Sequence, residues 1–497
     1  MIKTISSITL SALVVAISSL TATTQAASQK PNIVFFLVDD MGWQETSVPF
    51  HTEKTKLNER FHTPNMEKLA SQGMKLTQAY ASAICSPTRV SLMTGASAAR
   101  HRVYCWTLRK DVSPEHNHNI LKSPDWNLNG LVSEPGEDKT FSCSTTLPAQ
   151  LRKAGYYTIH AGKAHFGAFD TTGEDPTTLG FDVNIAGSAI GGPGSYHGDK
   201  NFSGKWRNAP AVWNVPGLEK YHGQKINLTE ALTREALSAV DSHVTKKTEK
   251  PFYLYLSHYT VHAPWEADRR YLKKYQDAGL KGKKAIQASM IEGMDKSLGD
   301  VMAKLDDLGV ADNTIIIFMS DNGAPSQMDR NLPLRGHKIS PYEGGTRVPM
   351  IVKWTGKVKP ASKNTSPLII EDIYPSILEM AQAKKLIPNT GIDGQSFLPL
   401  LAGKSGDSKR NFIWHYPTYY DQQPYSSIRR GDWKLIFQYH NQKAELYNLK
   451  DDLSEKHNLA TEKPELAQKL QAELRKELAS KGALFPTNKQ TGELIQP

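Results

Sequence analysis

Residues 33–40 read IVFFLVDD, a run of six apolar residues that continues directly into two aspartates. An uninterrupted apolar run of this length, rich in β-branched and aromatic side chains, is typical of a strand buried on both faces of a sheet. Further runs of this kind, separated by segments of helix length, occur at 156–160, 252–256, 314–319 and 348–352. In two of the separating segments, 229–244 and 285–308, apolar residues recur at helical spacing. The pattern predicts an α/β fold with a largely parallel sheet.

Polar side chains follow the predicted strands at the point where each strand ends. They are Asp39 and Asp40, Lys163 and His165, His262, and Asp321 and Asn322. Because ligands of open α/β sheets bind beyond the carboxyl ends of the strands, we expect these four separate segments to form one site.

Four of these residues offer oxygen ligands, and they are Asp39, Asp40, Asp321 and Asn322. Hard cations such as Ca²⁺ and Mg²⁺ prefer carboxylate and amide oxygens, whereas zinc sites favour His and Cys. Either pair alone would be interpreted as an ordinary turn or helix cap. Because both pairs follow predicted buried strands, the sequence predicts a calcium site, with Mg²⁺ as the alternative.

Residues 85–95 read CSPTRVSLMTG. Pro87 suits the first turn of a helix, which would place Cys85 at the helix N-terminus. Free backbone N–H groups and the helix dipole favour a bound anion at that position. Since an isolated cysteine is by default a buried apolar residue, a chemical role for Cys85 depends on the whole motif.

The motif Cys85-x-Pro87-x-Arg89, followed by Thr94-Gly95, resembles the signature of the type I sulfatases. Further landmarks of that family occur in order along nearly the whole chain: Asp39-Asp40, Gly162-Lys163-Ala164-His165, His262-Ala263-Pro264, Ser320-Asp321-Asn322-Gly323, Arg335-Gly336-His337-Lys338 and Trp433-Lys434-Leu435. The chain departs from the family pattern at Ala164, where Trp is usual, and at Thr88, where Ser is commonest. Neither change removes a reacting group. The resemblance implies an alkaline-phosphatase-like fold, in which helices sandwich a mixed, mostly parallel sheet, and it implies hydrolysis of sulfate esters.

In the sulfatase family the signature cysteine is oxidised to Cα-formylglycine by a maturation enzyme, and the hydrated aldehyde is the nucleophile. The resemblance therefore implies that Cys85 is the nucleophile precursor. It also implies that the modified residue is a ligand of the cation, together with Asp39, Asp40, Asp321 and Asn322.

The resemblance implies roles for five further residues. Arg89 would hold the hydrated aldehyde, while Lys163 and Lys338 would offset the charge of the sulfuryl oxygens. His262 is the candidate general acid for the leaving alcohol, and His165 is the candidate for the second proton transfer, which expels sulfate.

Two irregular segments, 104–146 and 184–223, are too long for ordinary connections, and we expect functional loops over the site. The candidate contacts with substrate sugars and sulfates are His51, His101, His197, Lys205 and Arg207. Cys105 and Cys143 both lie in the first segment, where a disulfide would close the loop; two reduced thiols are the alternative.

The first 27 residues have the features of an export signal. Lys3 precedes a mostly apolar stretch at 8–20, and Ala26-Ala27 offers small residues for cleavage. The stretch is shorter than the roughly 20 apolar residues of a membrane-spanning helix. We therefore expect an exported protein, periplasmic or secreted, without a membrane anchor.

The pattern of predicted secondary structure changes beyond about residue 403. Short strands are predicted within 428–437 and 445–449, followed by an amphipathic helix at 464–480. We expect a catalytic domain over 28–404 and a smaller α+β domain over 405–497.

The chain has 497 residues, with 60 Lys and Arg against 50 Asp and Glu, which gives a formal net charge of +10. A positive protein attracts polyanions, and export makes nucleic acid an unsuitable partner. With the resemblance, this favours a sulfated polysaccharide or oligosaccharide as substrate, a galactan such as carrageenan before a glycosaminoglycan. The alternatives are a phosphomonoester or phosphonate hydrolase of the same superfamily and a non-catalytic glycan-binding homologue. The sequence leaves the oligomeric state open.

Overall fold

The computed structural model describes residues 29–497, and its largest sheet has eight strands. Their order across the sheet is Ser362–Asn364, Met74–Leu76, Met350–Lys353, Thr314–Ser320, Asn32–Val38, Phe252–Ser257, Tyr157–Gly162 and Val183–Ile185. Neighbouring strands run parallel except where Met350–Lys353 pairs with its neighbours on either side. The predicted mixed, mostly parallel sheet is confirmed.

The predicted strand at 348–352 is wrong in one respect, because it is two strands. Arg347–Val348 belongs to a separate three-stranded sheet, whereas Met350–Lys353 lies in the main sheet. Pro349 stands between them and has no N–H to donate to a ladder, so it suits the point where the chain leaves one sheet for the other.

Alternate residues of the central strand Asn32–Val38 pack on opposite faces of the sheet. Ile33, Phe35 and Leu37 join a core that includes the helices Cys85–Thr94 and Ile373–Met380. Val34, Phe36 and Val38 join a second core that includes the helices Leu228–Thr245 and Gly282–Asp307. Helices therefore cover both faces, and the predicted layers are confirmed.

The remaining elements are shorter. The other helices of the main body are Lys56–Arg60, Pro64–Gln72, Ala98–His101, Leu147–Lys153, Leu272–Asp277, Glu343–Thr346 and Leu398–Leu401. The other short strands are Ala79–Tyr80, Leu121–Lys122, Gly130–Val132, Thr140–Ser142, Leu368–Ile369 and Thr487–Asn488.

The C-terminal part forms a four-stranded antiparallel sheet with one helix packed on it. The strands are Asn411–Tyr416, Tyr425–Arg430, Trp433–Gln438 and Lys443–Asn448, and the helix is Pro464–Ser480. Leu470, Leu474 and Leu478 of the helix pack against the sheet in a core of their own. The predicted α+β character is confirmed, and the helix has the predicted bounds.

The predicted disulfide is wrong, because Cys105 and Cys143 are both free thiols. Cys105 is buried with its sulfur 3.9 Å from the hydroxyl of Tyr416, and the sulfur of Cys143 lies 3.7 Å from the hydroxyl of Thr145. Each thiol packs in its own surroundings, although the two share a loop.

The predicted export signal at 1–27 lies outside the described residues. Within residues 29–497, no helix combines the length and the apolar character that crossing a bilayer requires.

Candidate active site

Cys85 is the first residue of a buried ten-residue helix, Cys85–Thr94, as the position of Pro87 predicts. The helix ends at Gly95, which has a left-handed φ of 68° and donates its N–H to the carbonyl of Ser91. A Cβ on Gly95 would also lie 3.0 Å from the ring of Tyr374, so glycine is required for both backbone and space.

Two aspartates meet Cys85 at the ends of two paired strands. Strands Asn32–Val38 and Thr314–Ser320 are parallel with Val38 opposite Ser320, so Asp39 and Asp321 emerge side by side. Ligand atoms of Asp39, Cys85 and Asp321 all lie within 4.8 Å of one another. The convergence of these strand ends is what the sequence predicts for an α/β ligand site.

Each of the three acidic residues pairs with one basic residue. The ion pairs are Lys163 Nζ to Asp39 Oδ2 at 2.7 Å, Lys338 Nζ to Asp40 Oδ1 at 2.7 Å, and Arg89 Nη2 to Asp321 Oδ2 at 2.8 Å. Burial alone would raise the pKa of Asp40, but the Lys338 ammonium holds it well below its usual range. Burial, and then the carboxylate of Asp39, raises the pKa of Asp321 to about 6.

Arg89 is completely buried and connects three strand ends. Besides Asp321, its guanidinium donates to the Oγ of Ser257 at 2.6 Å and to the carbonyl of Lys163 at 2.9 Å. Arg89 therefore holds a predicted metal ligand and the backbone of a predicted catalytic lysine in fixed positions. Sequence reasoning missed Ser257, although it ends the strand Phe252–Ser257.

Two buried oxygens at the site have no hydrogen-bond partner within the part of the chain that the structure describes. They are Oδ1 of Asp39 and Oδ1 of Asn322. The amide nitrogen of Asn322 donates to Asp40 Oδ1 at 2.7 Å and to the carbonyl of Gly323 at 2.9 Å. Because unpaired buried oxygens are costly, this donor set fits a hard, oxygen-binding cation.

The two candidate histidines each pack closely against one member of a glycine pair, Gly191-Gly192. His165 donates through Nε2 to the carbonyl of Thr107 at 2.7 Å, and His262 donates through Nδ1 to the carbonyl of Ala263 at 2.7 Å. A Cβ at Gly191 would lie 2.6 Å from His165 Cε1, and one at Gly192 would lie 2.6 Å from His262 Nδ1. Only glycine allows this close approach.

The Nε2 of His262 is the ring atom that faces the carboxylates, 3.9 Å from Asp40 Oδ2. Burial, and then the positive charge of Lys338, lowers the pKa of His262 to about 3, against the opposing effect of Asp40. The functional contributions of Gly191, Gly192 and Thr107 were missed from the sequence. The glycine pair within the long segment 184–223 is a signal that could have indicated close packing.

The structure gives the five predicted substrate contacts different surroundings. The prediction for His101 is wrong: its ring is fully buried, with Nε2 3.1 Å from Ser91 Oγ and Nδ1 accepting from the N–H of Val103. The ring of His51 packs edge-on against Trp43, 5.9 Å between centroids. His197 is buried, and its backbone pairs with Asn227.

Lys205 and Arg207 lie on the short helical turn Gly204–Arg207. The Nε of Arg207 donates to the carbonyl of Gly194 at 3.2 Å, and Gly194 follows the glycine pair that contacts His165 and His262 by two residues. Trp206 is exposed between the two basic residues and has the ammonium of Lys200 above its ring, at 3.7 Å.

Comparison with known proteins finds that residues 31–383 match the sequence model of the family described as Sulfatase. The chain belongs to the sulfatase family. Residues 337–483 also match a model described as the C-terminal region of N-sulphoglucosamine sulphohydrolase. The similar curated proteins are named as sulfatases. The chain is therefore a sulfuric ester hydrolase of the type I sulfatase family.

Two similar proteins and one similar structure span nearly the whole chain. A sulfatase of Formosa agariphila is 30% identical over 92% of this chain and 91% of its own length. An N-acetylgalactosamine-6-O-sulfatase of Bacteroides thetaiotaomicron is 27% identical over 89% of this chain and 92% of its own. The crystal structure of Ps i-CgsB superimposes with a TM-score of 0.72 at 27% identity and covers 90% of this chain and 93% of its own. That protein is also known in complex with k-i-k-neocarrahexaose.

Proposed function

We propose that this sulfatase removes sulfate from a sulfated polysaccharide or oligosaccharide, with Cα-formylglycine made from Cys85 and a bound Ca²⁺. The observation that carries the proposal is the meeting of Cys85 with Asp39 and Asp321 within 4.8 Å, at the start of a helix. A cysteine used only for packing would not need carboxylates and paired lysines around it.

The residues that would hold Ca²⁺, or Mg²⁺ in its place, are Asp39, Asp40, Asp321 and Asn322, with an oxygen of the modified residue 85 as a further ligand. When bound, the cation and formylglycine would supply a polarised hydroxyl nucleophile at neutral pH. Burial raises the pKa of the unmodified Cys85 thiol, so a plain thiolate is disfavoured at this position.

Lys163 and Lys338 are the proposed ligands of the sulfate group. In the described structure the three acidic residues and the three basic residues balance each other. A divalent cation would add two positive charges to this set, which then favours an anionic sulfate ester over a neutral ester.

His262 and His165 are the proposed proton carriers. The Nδ1–H of His262 donates to the carbonyl of Ala263, which directs Nε2 to the site. Only the imidazolium form, in which Nε2 also carries a proton, can protonate the leaving alcohol oxygen. Burial and Lys338 disfavour this form in the described structure, and an anionic sulfate ester bound beside the ring would favour it. His165, whose Nε2 is held by Thr107, would take part in the later step that releases sulfate.

The sugar class is inferred from the relatives and from charge. One relative is named for N-acetylgalactosamine 6-sulfate, and one similar structure holds a neocarrahexaose. We place sulfated galactans such as carrageenan first and glycosaminoglycans second, with Lys205 and Arg207 at the rim as candidate contacts. We further propose export to the periplasm or medium and a division into domains 28–404 and 405–497.

The proposal is tested by sulfate release from carrageenan and chondroitin sulfate oligosaccharides, measured with protein co-expressed with a formylglycine-generating enzyme. Peptide mass spectrometry of the segment that contains residue 85 should show formylglycine. Cys85→Ala should abolish release, whereas Cys143→Ala should not. Faster release of phosphate than of sulfate from matched aryl esters, or full activity of Cys85→Ala, would contradict the proposal.

A further inference from the structure

The site reaches solvent at Lys338 and His262, which have the most exposed side chains among the candidate catalytic and metal-binding residues. The side chains of Asp39, Lys163, Arg89 and Asp321 are completely buried. Those of Lys338 and His262 are 14% and 25% exposed. Since the sulfate must bind among the buried charges, the sugar bonded to it has to lie just outside these two residues.

An aromatic pair, Trp106 and Tyr420, is linked to the site through the sequence neighbours of its two members. Trp106 directly precedes Thr107, whose N–H donates to Ser86 Oγ at 3.2 Å and whose carbonyl holds His165 at 2.7 Å. Trp106 is therefore tied through its neighbour both to the helix of Cys85 and to a candidate catalytic histidine.

Tyr420 reaches the same place from the C-terminal part of the chain. Its ring lies edge-on to that of Trp106, with 5.7 Å between centroids. Burial raises the pKa of Tyr420, and the charge of Lys338 makes a minor contribution in the opposite direction. The link to Lys338 is the preceding residue, His337, whose Nδ1 donates to the carbonyl of Lys338 at 2.9 Å and whose Nε2 is 3.4 Å from the Nε2 of Gln422, two residues after Tyr420.

The pair is held rigidly yet keeps accessible surface. The hydroxyl of Tyr416 donates to the carbonyl of Tyr420 at 2.9 Å, and the N–H of His116 donates to the carbonyl of Tyr419 at 2.8 Å. Tyr416 is buried, whereas Trp106 and Tyr420 are both partly exposed. Two aromatic rings that stay partly open to solvent beside a charged opening offer an apolar surface with a polar rim.

We propose that Trp106 and Tyr420 form a subsite for the sugar ring next to the scissile sulfate ester. A pyranose ring has C–H groups that pack on an aromatic face and hydroxyls that bond at its edge, which His337 and Gln422 can reach. The subsite rests on the proposed function, because it requires a sulfated carbohydrate at the Cys85 site. It selects for the sugar and does not take part in binding the sulfate group.

The test measures KM for a sulfated oligosaccharide beside the inhibition constant of inorganic sulfate, which occupies only the sulfate position. Trp106→Leu and Tyr420→Ala should each raise KM about tenfold, the effect of losing one aromatic contact. The inhibition constant of sulfate should stay within about twofold. Tyr420→Phe, which keeps the ring, should restore the parent KM.

Trp433→Leu is the matched control, because Trp433 is a partly buried aromatic residue that packs against the separate C-terminal core. An unchanged KM in Trp106→Leu and Tyr420→Ala would overturn the subsite and leave the sulfatase proposal intact. An equal loss of sulfate inhibition would also overturn it, since the two residues would then only support the charged site. A parent enzyme that is inert on every carbohydrate sulfate would overturn the proposed function and the subsite together.

Discussion

The ammonium of Lys338 lies 2.7 Å from the Oδ1 of Asp40, although the two residues belong to distant parts of the chain. The loop 335–346 that carries Lys338 is held on three sides. The N–H of Lys338 donates to the carbonyl of Ala324, and the carbonyl of Ile339 accepts from the hydroxyl of Tyr425 in the C-terminal sheet. The N–H of Ile339 donates to the carbonyl of Ala83, two residues before Cys85. The lysine is thus placed by the turn that follows strand Thr314–Ser320, by the segment before the Cys85 helix and by the C-terminal sheet together.

Asn322→Ala should weaken Ca²⁺ binding by about 10- to 100-fold, because it removes one of the two unpaired buried oxygens at the site. Titration calorimetry of the purified protein measures the affinity without depending on turnover. Asn313→Ala is the control, since the Asn313 amide only donates to the carbonyl of Lys30. Equal Ca²⁺ affinity in the two variants would contradict the assignment of Asn322 as a ligand.

Reducing agents should leave the thermal midpoint of unfolding unchanged, because Cys105 and Cys143 are free. Titration of the unfolded, unreduced protein should detect both thiols, in addition to Cys85 in any unmodified fraction. A midpoint that falls on reduction, or the absence of both thiols before reduction, would show that the bridge forms after all.

Lys434→Met should lower the free energy of unfolding by about 3–5 kcal/mol, the usual effect of leaving buried carboxylates without their cation. Lys434 is fully buried and lies 3.0 Å from Glu343 Oε1 and 2.9 Å from Glu455 Oε1. Urea denaturation measures the change.

The control is Lys443→Met at an exposed position on the neighbouring strand, where the change should stay within about 0.5 kcal/mol. If Lys434→Met were as stable as Lys443→Met, the buried cluster would not hold the C-terminal sheet to the loop that carries Lys338.

Glu371→Gln should stabilise the protein at pH 8–9 and have little effect near pH 4. Burial raises the pKa of Glu371 to about 8, from an ordinary value of 4.5, and its Oε2 has no partner among residues 29–497. Because the folded state binds this proton more tightly than the unfolded state, its stabilising effect is complete below pH 4.5. The effect is lost as the pH rises towards 8.

The difference in stability between Glu371→Gln and the parent should therefore grow with pH, to the order of a few kcal/mol. Thermal unfolding over a pH series measures it, with Glu379→Gln on a more exposed carboxylate as the control. A difference that does not change with pH would mean that Glu371 is already ionised in the folded protein.

Several elements of the fold could be predicted because their information is local. The apolar run of the central strand, the proline that begins the Cys85 helix and the spacing of helix Pro464–Ser480 each depend on neighbours in sequence. The strand Asn411–Tyr416 was missed because its apolar residues depend on packing partners that are distant in sequence. It contributes Trp414 to the main core and Ile413 to the C-terminal core, so neighbouring residues of one strand pack against two different cores.

By itself, the sequence determined which chemical groups follow each strand, because a strand and its end are encoded in consecutive residues. Only the tertiary structure decided which distant groups meet them. It buried His101 behind the Cys85 helix, left Cys105 and Cys143 unbridged, and placed Gly191 and Gly192 against two histidines. It also brought Trp106 to Tyr420, and Gln422 to His337, the residue before Lys338. These contacts join residues that are far apart in sequence, and their geometry is set by the packing of whole elements rather than by any local pattern.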